Sequence, residues 1–249
     1  MTKQQKSAAK KPQKNKRKIE VTPRFSRRID YFNLAVLIFA IGSFFGVYYE
    51  QFFMLITTYI RTGGAEILWV PRTGLIYGPF SPIYGGGGLL LLLTVCTMRD
   101  KKWYQYFIAG AILSGIFEYL MATGQERIFG TRSWDYSEKF LSINGKTTIP
   151  IMLLWGFIFI FFIYCVLPFV YKLYRRIPSK VSDILCIVLA VFFVFDITMS
   201  IAATYRQNQR RHGVEAQTAL DRFCDKHYDD EFLHGVYENA IPVEYLKNR

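Results

Sequence analysis

Three carboxylic acids stand inside strongly apolar stretches of this sequence: Glu50, Glu118 and Asp196. An ionised acid in hydrocarbon is costly, so such residues face a bundle interior, a partner or a wet cavity. They can bind a polar solute or ion, or they can pair with basic side chains and lock helix packing. Arg72, Arg127 and Arg132 are the arginines best placed to answer them, and Asp135 and Asn144 share a polar segment with Arg132. The candidate substrate-binding set is therefore Glu50, Arg72, Glu118, Arg127, Arg132, Asp135, Asn144 and Asp196. Asp196 and Ser200, four apart, share one helix face. An enzymatic use is also open, with Glu118 or Asp135 as a general base and Arg72 or Arg132 holding a phosphate. No nucleophile elbow or paired catalytic motif accompanies them, so catalytic residues stay unassigned.

Other chemistries have little support. His212, His227 and His234 all lie near the C-terminal end, and Cys224, His227 and Asp229 fit no metal template, so no metal site is expected. Cys96, Cys165, Cys186 and Cys224 show no zinc spacing and read as free thiols. The string Gly145-Lys146-Thr147 suggests a phosphate-binding loop, but Phe140 occupies the position that requires glycine. Neither a cofactor nor a nucleotide is expected.

The elements that must position these residues are membrane helices. A spanning helix needs about 20 apolar residues. Five stretches qualify, at roughly 31–53, 82–98, 103–122, 149–171 and 183–205, in a chain that is 51% hydrophobic. The alternation of a barrel strand is absent, and backbone polar groups in lipid are satisfied within helices. The expected fold is an all-α polytopic membrane helix bundle of about five transmembrane helices at 29–205. A disordered basic tail precedes it at 1–28, and a short helical tail follows at 206–249.

Residues 1–28 carry eleven Lys or Arg and one acid, too little apolar surface to fold. The net charge of +12 sits mainly in this tail and in short loops. That distribution suits anionic lipid contacts through 1–28 rather than nucleic acid, which calls for a basic face on a folded domain. With a cytoplasmic N-terminus, the inside segments hold 18 basic residues and the outside segments 13. The inside loops are short and almost purely basic, so the expected topology in the cell membrane has the N-terminus cytoplasmic and the C-terminus extracytoplasmic. At about 1.5 Å of rise per residue, Glu118 lies about 22 Å and Asp196 about 20 Å from the cytoplasmic helix ends. Glu50 lies near the outer boundary. All three acids then fall in the outer half, beside the polar loops 61–81 and 123–148.

Those loops carry further signals. Two prolines, Pro79 and Pro82, precede four glycines, Gly85 to Gly88. This pattern reads as a tight turn followed by a close-packing face, or as an irregular entry lining a cavity. Trp134 and Tyr136 suit a membrane boundary, and Asn144-Gly145 reads as a turn.

The ordered pieces Gly46-x-x-Tyr49-Glu50, Gly78-Pro79-Phe80-Ser81-Pro82-Ile83-Tyr84-Gly85, Glu118-Tyr119, Arg132-x-Trp134-Asp135-Tyr136-Ser137, Ile143-Asn144-Gly145-Lys146 and Trp155-Gly156 carry a resemblance. Together they resemble the bacterial "putative ABC-transporter permease, type IV" family, also called CmpB-like. The likeness runs from about residue 30 through the fifth span. It is looser at Asp196, Ser200, Arg206 and Asn239. Thr73 interrupts the family's Arg-Gly pairing, and the tail 1–28 lies outside the shared region. The resemblance implies a transporter or a permease-like subunit. The chain carries no ATPase motif, so ATP coupling would need a separate ATPase subunit. Three functions stand side by side: a transporter binding a polar solute or ion, a membrane enzyme acting on lipid or envelope precursors at the outer face, and a structural or sensory membrane protein.

Overall fold

A computed structural model describes residues 23, 25–65, 73–99 and 101–246. Most of the expected basic tail, and Arg72 with it, lie outside the described residues. The chain is an all-α bundle. Its principal helices are α1 (Arg28–Arg61), α2 (Pro82–Thr97), α3 (Trp103–Phe129), α4 (Ile149–Phe161) running through a π-helical turn (Phe162–Val166) into α5 (Leu167–Tyr174), and α6 (Ser179–Arg211). Four continuous helices are long and apolar enough to cross a membrane: Arg28–Arg61, Trp103–Phe129, Ile149–Tyr174 and Ser179–Arg211. The second expected span forms as α2, an apolar helix of 16 residues. At 1.5 Å per residue it is about 24 Å long, short of a ~30 Å hydrocarbon layer.

The π-helical turn has a local cause. Pro168 has no N–H to donate and its ring crowds the carbonyl four residues earlier, so the helix widens just ahead of it. The widened turn places Phe162, Ile163, Leu167 and Val170 against Leu34, Ile38, Leu91, Val95, Tyr106 and Phe159 in the main apolar core. Many large apolar side chains point the other way, outward, including Phe45, Leu93, Phe157, Phe169, Ile184 and Val194, each more than half exposed. Outward apolar faces on long apolar helices suit a lipid solvent.

Glycines bring the helices together, as small residues do in membranes. A Cβ on Gly46 would sit 2.2 Å from the Tyr84 ring, and one on Gly85 2.2 Å from Ser43 Oγ. These pairs join α1 to α2. Gly110 meets Phe159 and Gly115 meets Met152, while a Cβ on Gly156 would lie 2.9 Å from the Phe107 carbonyl. These join α3 to α4.

At the amino-terminal end of the bundle an ion-pair network ties three elements. Arg27 Nη2 lies 2.6 Å from Asp30 and 2.9 Å from Asp183. Asn33 donates to Asp183 at 2.7 Å, and Tyr174 OH donates to Asp30 at 2.8 Å. Two hydrogen bonds and the adjacent charges hold the Arg27 guanidinium above its ordinary pKa, Asp30 first and Asp183 second.

At the opposite end, α6 continues past residue 205 to Arg211, and the chain folds back as α7 (Ala219–His227) and α8 (Asp230–Val236). Thr218 and Asp221 form a reciprocal cap at the start of α7. Ala203, Cys224, Tyr228 and Leu233 form a small second core, with Ile76 and Met199 packed against it. The strand β4 (Ile241–Pro242) pairs antiparallel with β1 (Thr131–Arg132), Arg132 opposite Ile241. The C-terminal segment thus forms a cap on this end of the bundle.

Candidate functional site

The segment 131–148 is held over the end of α3 by a small hairpin. Strands β2 (Ser142–Ile143) and β3 (Thr147–Thr148) pair across Asn144, Gly145 and Lys146, and the φ values of Asn144 and Gly145 are 52° and 70°. The Lys146 N–H donates to the Ile143 carbonyl at 3.0 Å, closing a turn with Asn144 and Gly145 at its centre, and Asn-Gly tolerates two successive positive φ values best. Trp134 Nε1 donates to the Lys146 carbonyl at 2.9 Å, and the Tyr136 N–H donates to the Gly145 carbonyl at 2.8 Å. These bonds aim Tyr136 and Thr147 at α3.

Both meet Glu118. Thr147 Oγ1 donates to one carboxylate oxygen at 2.7 Å, and Tyr136 OH donates to the other at 3.3 Å. Glu118 is 7% exposed. No basic side chain pairs with it among the described residues. The Tyr136 phenol is held well above its ordinary pKa, by burial first and then by Glu118, with Glu50 contributing through space. Glu50 itself accepts from Tyr84 OH at 3.2 Å, and the Tyr84 and Tyr49 rings lie 6.3 Å apart. The carboxylates of Glu50 on α1 and Glu118 on α3 thus each accept from hydroxyls, Tyr84 for the first and Tyr136 and Thr147 for the second.

Arg132 and Lys146, at this end, are engaged elsewhere. Arg132 forms an ion pair with Glu126, and its Nη1 lies 2.9 Å from Asp135. Lys146 Nζ lies 2.8 Å from Glu126, 3.0 Å from Thr123 Oγ1 and 5.1 Å from the centre of the Tyr119 ring. Asp135 also accepts from the Ser137 N–H and hydroxyl at 3.0 and 2.6 Å. Burial pulls the Asp135 pKa up, but the bonds from Ser137 and the Arg132 charge outweigh it, leaving it below the usual carboxylate range.

The structure brings Glu50, Glu118, Arg132, Asp135 and Asn144 to one end, with Asn144 donating to Tyr119 OH at 3.0 Å. Arg127 is exposed and makes no ion pair among the described residues. Arg132, expected to answer the membrane acids, answers Glu126 and Asp135 instead. The reason is the left-handed Gly130, φ 61°, which ends α3 and turns the chain back across its last turn.

Asp196 belongs to a different set of contacts. It accepts from the Tyr77 N–H at 3.1 Å and from Ser200 Oγ at 3.3 Å, while Ser200 Oγ accepts from the Ile76 N–H at 2.9 Å. Segment 73–81 reaches into the bundle here without helical hydrogen bonds, and these side chains satisfy its backbone. Its other holds are the Ser81 N–H on the Ser43 carbonyl at 3.1 Å, Thr73 Oγ1 on the Val236 carbonyl at 3.0 Å, and a Tyr77–Tyr228 hydroxyl contact. Irregular backbone at such depth is tolerated where protein buries it.

The profile of a family described as "Putative ABC-transporter type IV" matches residues 37–201. The chain belongs to this family. Four long apolar helices agree with a membrane protein of that transporter type. The matched region includes Glu50, Glu118, the hairpin and Asp196, and ends before the C-terminal cap. Searches of curated proteins and of solved structures return no match for the chain.

The site residues that spacing does not reveal are hydroxyls: Tyr84, Tyr136 and Thr147. Thr147 lies in the Gly-Lys-Thr string, whose position beside the Asn-Gly turn was the available signal. Glu126, which absorbs Arg132 and Lys146, looks in the sequence like an ordinary polar residue at a helix end.

Proposed function

We propose that this member of the type IV family is a transport component that binds a cationic solute or ion at Glu118, on the extracytoplasmic side. The observation that carries this reading is the pairing state of Glu118, a nearly buried carboxylate held by two hydroxyls and by no described base. Arg132 and Lys146, which would otherwise neutralise it, are taken by Glu126 and Asp135. The Glu118 carboxylate, with the Tyr136 and Thr147 hydroxyls that hold it, makes an environment selective for positive charge. The same pairing weakens the enzyme reading, because Arg132 has no free fork for a phosphate and Asp135 is engaged as an acceptor. Energy would come from a separate ATPase subunit docking at the cytoplasmic end, and residues 1–28 would hold anionic lipid there.

Trp155 lies 6.3 Å from Tyr84, and Trp134 is bonded into the hairpin, so tryptophan fluorescence reports on the site. Purified chain in lipid nanodiscs is titrated with Na+, K+, choline and putrescine. A saturable change with one of these is expected. Glu118→Gln should weaken it about 10- to 100-fold, the value of a charged hydrogen-bonding partner. No response to any of the four, or a response that Glu118→Gln leaves intact, would overturn the proposal.

A further inference from the structure

Asp196 is fully buried, and only one of its oxygens is used. Oδ1 accepts from Tyr77 and Ser200, while Oδ2 is buried without a hydrogen-bond partner. An ionised carboxylate with a bare buried oxygen is strongly disfavoured, and no described base is in contact with it. Arg206, further along α6, is taken up by Asp225, Gln209 and the Val214 carbonyl.

We infer that Asp196 is a proton-binding site whose occupancy holds segment 73–81 in the bundle. A metal ion needs a shell of several oxygens. The hydroxyl beside Asp196, that of Ser200, is already engaged as donor to Asp196 and acceptor from Ile76. A proton needs a single lone pair, and Oδ2 has one. Phe80, Phe192 and Phe193 pack on one another beside this segment. The titratable groups that face Asp196 are phenols: Tyr77 from the segment, and Tyr228 and Tyr237 from the C-terminal cap, the last two within electrostatic reach. On the α1 side the neighbours are Phe39, which meets Phe193, and Ser43, which meets Ser81.

In the neutral acid, Oδ1 accepts from Tyr77 and the segment stays seated. On ionisation the Oδ2–H bond breaks, water takes the proton and no electron moves. The new charge then requires water, and segment 73–81 is the part of its surroundings that lacks helical hydrogen bonds and can move to admit it. This deepens the transport reading but uses a residue outside the Glu118 site, so each can fail separately.

The test uses the full chain in lipid nanodiscs. Infrared spectra at neutral pH are expected to show the carbonyl band of a protonated carboxylic acid. The band should be lost in Asp196→Asn and kept in Glu118→Gln. As rising pH removes the band, amide exchange in 73–81, corrected for its intrinsic pH dependence, should increase in the wild type and stay flat in Asp196→Asn. A band that survives Asp196→Asn, or no band at all, would refute the proton site. So would wild-type exchange that stays level while the band titrates, a readout that needs no variant. Loss of the band when NaCl replaces choline chloride at constant pH would overturn the proposal in favour of a metal cation.

Discussion

Replacing Arg206 by Ala should release the C-terminal cap while sparing the bundle. Its side chain is 4% exposed and grips Asp225 with two parallel bonds, Nε to Oδ1 and Nη2 to Oδ2, each 2.9 Å. Its remaining fork reaches Gln209 and the Val214 carbonyl at 3.1 and 2.9 Å. Breaking a fully buried pair costs about 3–5 kcal/mol. Here Asp225 is 30% exposed and keeps Arg210 at 2.7 Å, so about 2–3 kcal/mol is the better figure. At about 1.4 kcal/mol per tenfold, the cap should open about 30- to 150-fold more often. Hydrogen exchange across residues 219–236 reads this directly, with residues 103–129 as an internal reference. Arg206→Lys, which keeps a charge but not the fork, should fall between.

The same pair sets a pH dependence. The Arg206 bonds hold the Asp225 carboxyl below its usual range. Its stabilisation is therefore full above the unfolded carboxyl value of about 3.9 and lost as pH falls through the depressed one. The wild-type cap should loosen in acid, and Arg206→Ala, in which Arg210 alone still holds Asp225, should show a smaller change. Equal exchange in wild type and Arg206→Ala, or a loss of protection spread evenly over the chain, would refute the account.

Gly156→Ala places a methyl 2.9 Å from a backbone carbonyl that cannot rotate away. It should cost about 1–3 kcal/mol, seen as a lower thermal unfolding midpoint in detergent, whereas Gly87→Ala, with nothing near its Cβ, should not lower it. The depressed Asp135 pKa implies that the hairpin keeps its support at neutral pH and loses it as pH falls through that lowered value. Trp134 fluorescence, in a chain with its other tryptophans changed to Phe, should show this acid transition, and Asp135→Asn should abolish it.

The apolar stretches were legible because lipid imposes length and composition on helices directly. The acids were legible for the same reason, since Glu50, Glu118 and Asp196 interrupt those stretches. What each acid binds was not. Arg132 reaches Glu126 only because Gly130 reverses the chain, and no spacing rule links residues across such a turn. Segment 73–81 reads as a proline-glycine turn. That its backbone is satisfied by Asp196 and Ser200 depends on partners more than a hundred residues away. The cap is a middle case: Cys224, Tyr228 and Leu233 mark one buried face of short helices, a signal easily lost among the charges of a polar tail.

The long-range holds on segment 73–81 also dictate an order of assembly. Its partners follow at separations of 119 residues for Asp196, 124 for Ser200, 151 for Tyr228 and 163 for Val236. At a synthesis rate of about 5–20 residues per second, the segment waits roughly 8–30 s for the last of them. Until Asp196 and Ser200 emerge its backbone donors at Ile76 and Tyr77 lack their final acceptors, and water or the insertion machinery must serve in their place. The first helices can enter the bilayer as the chain emerges, but this end of the protein closes only once the residues of the C-terminal cap have been made.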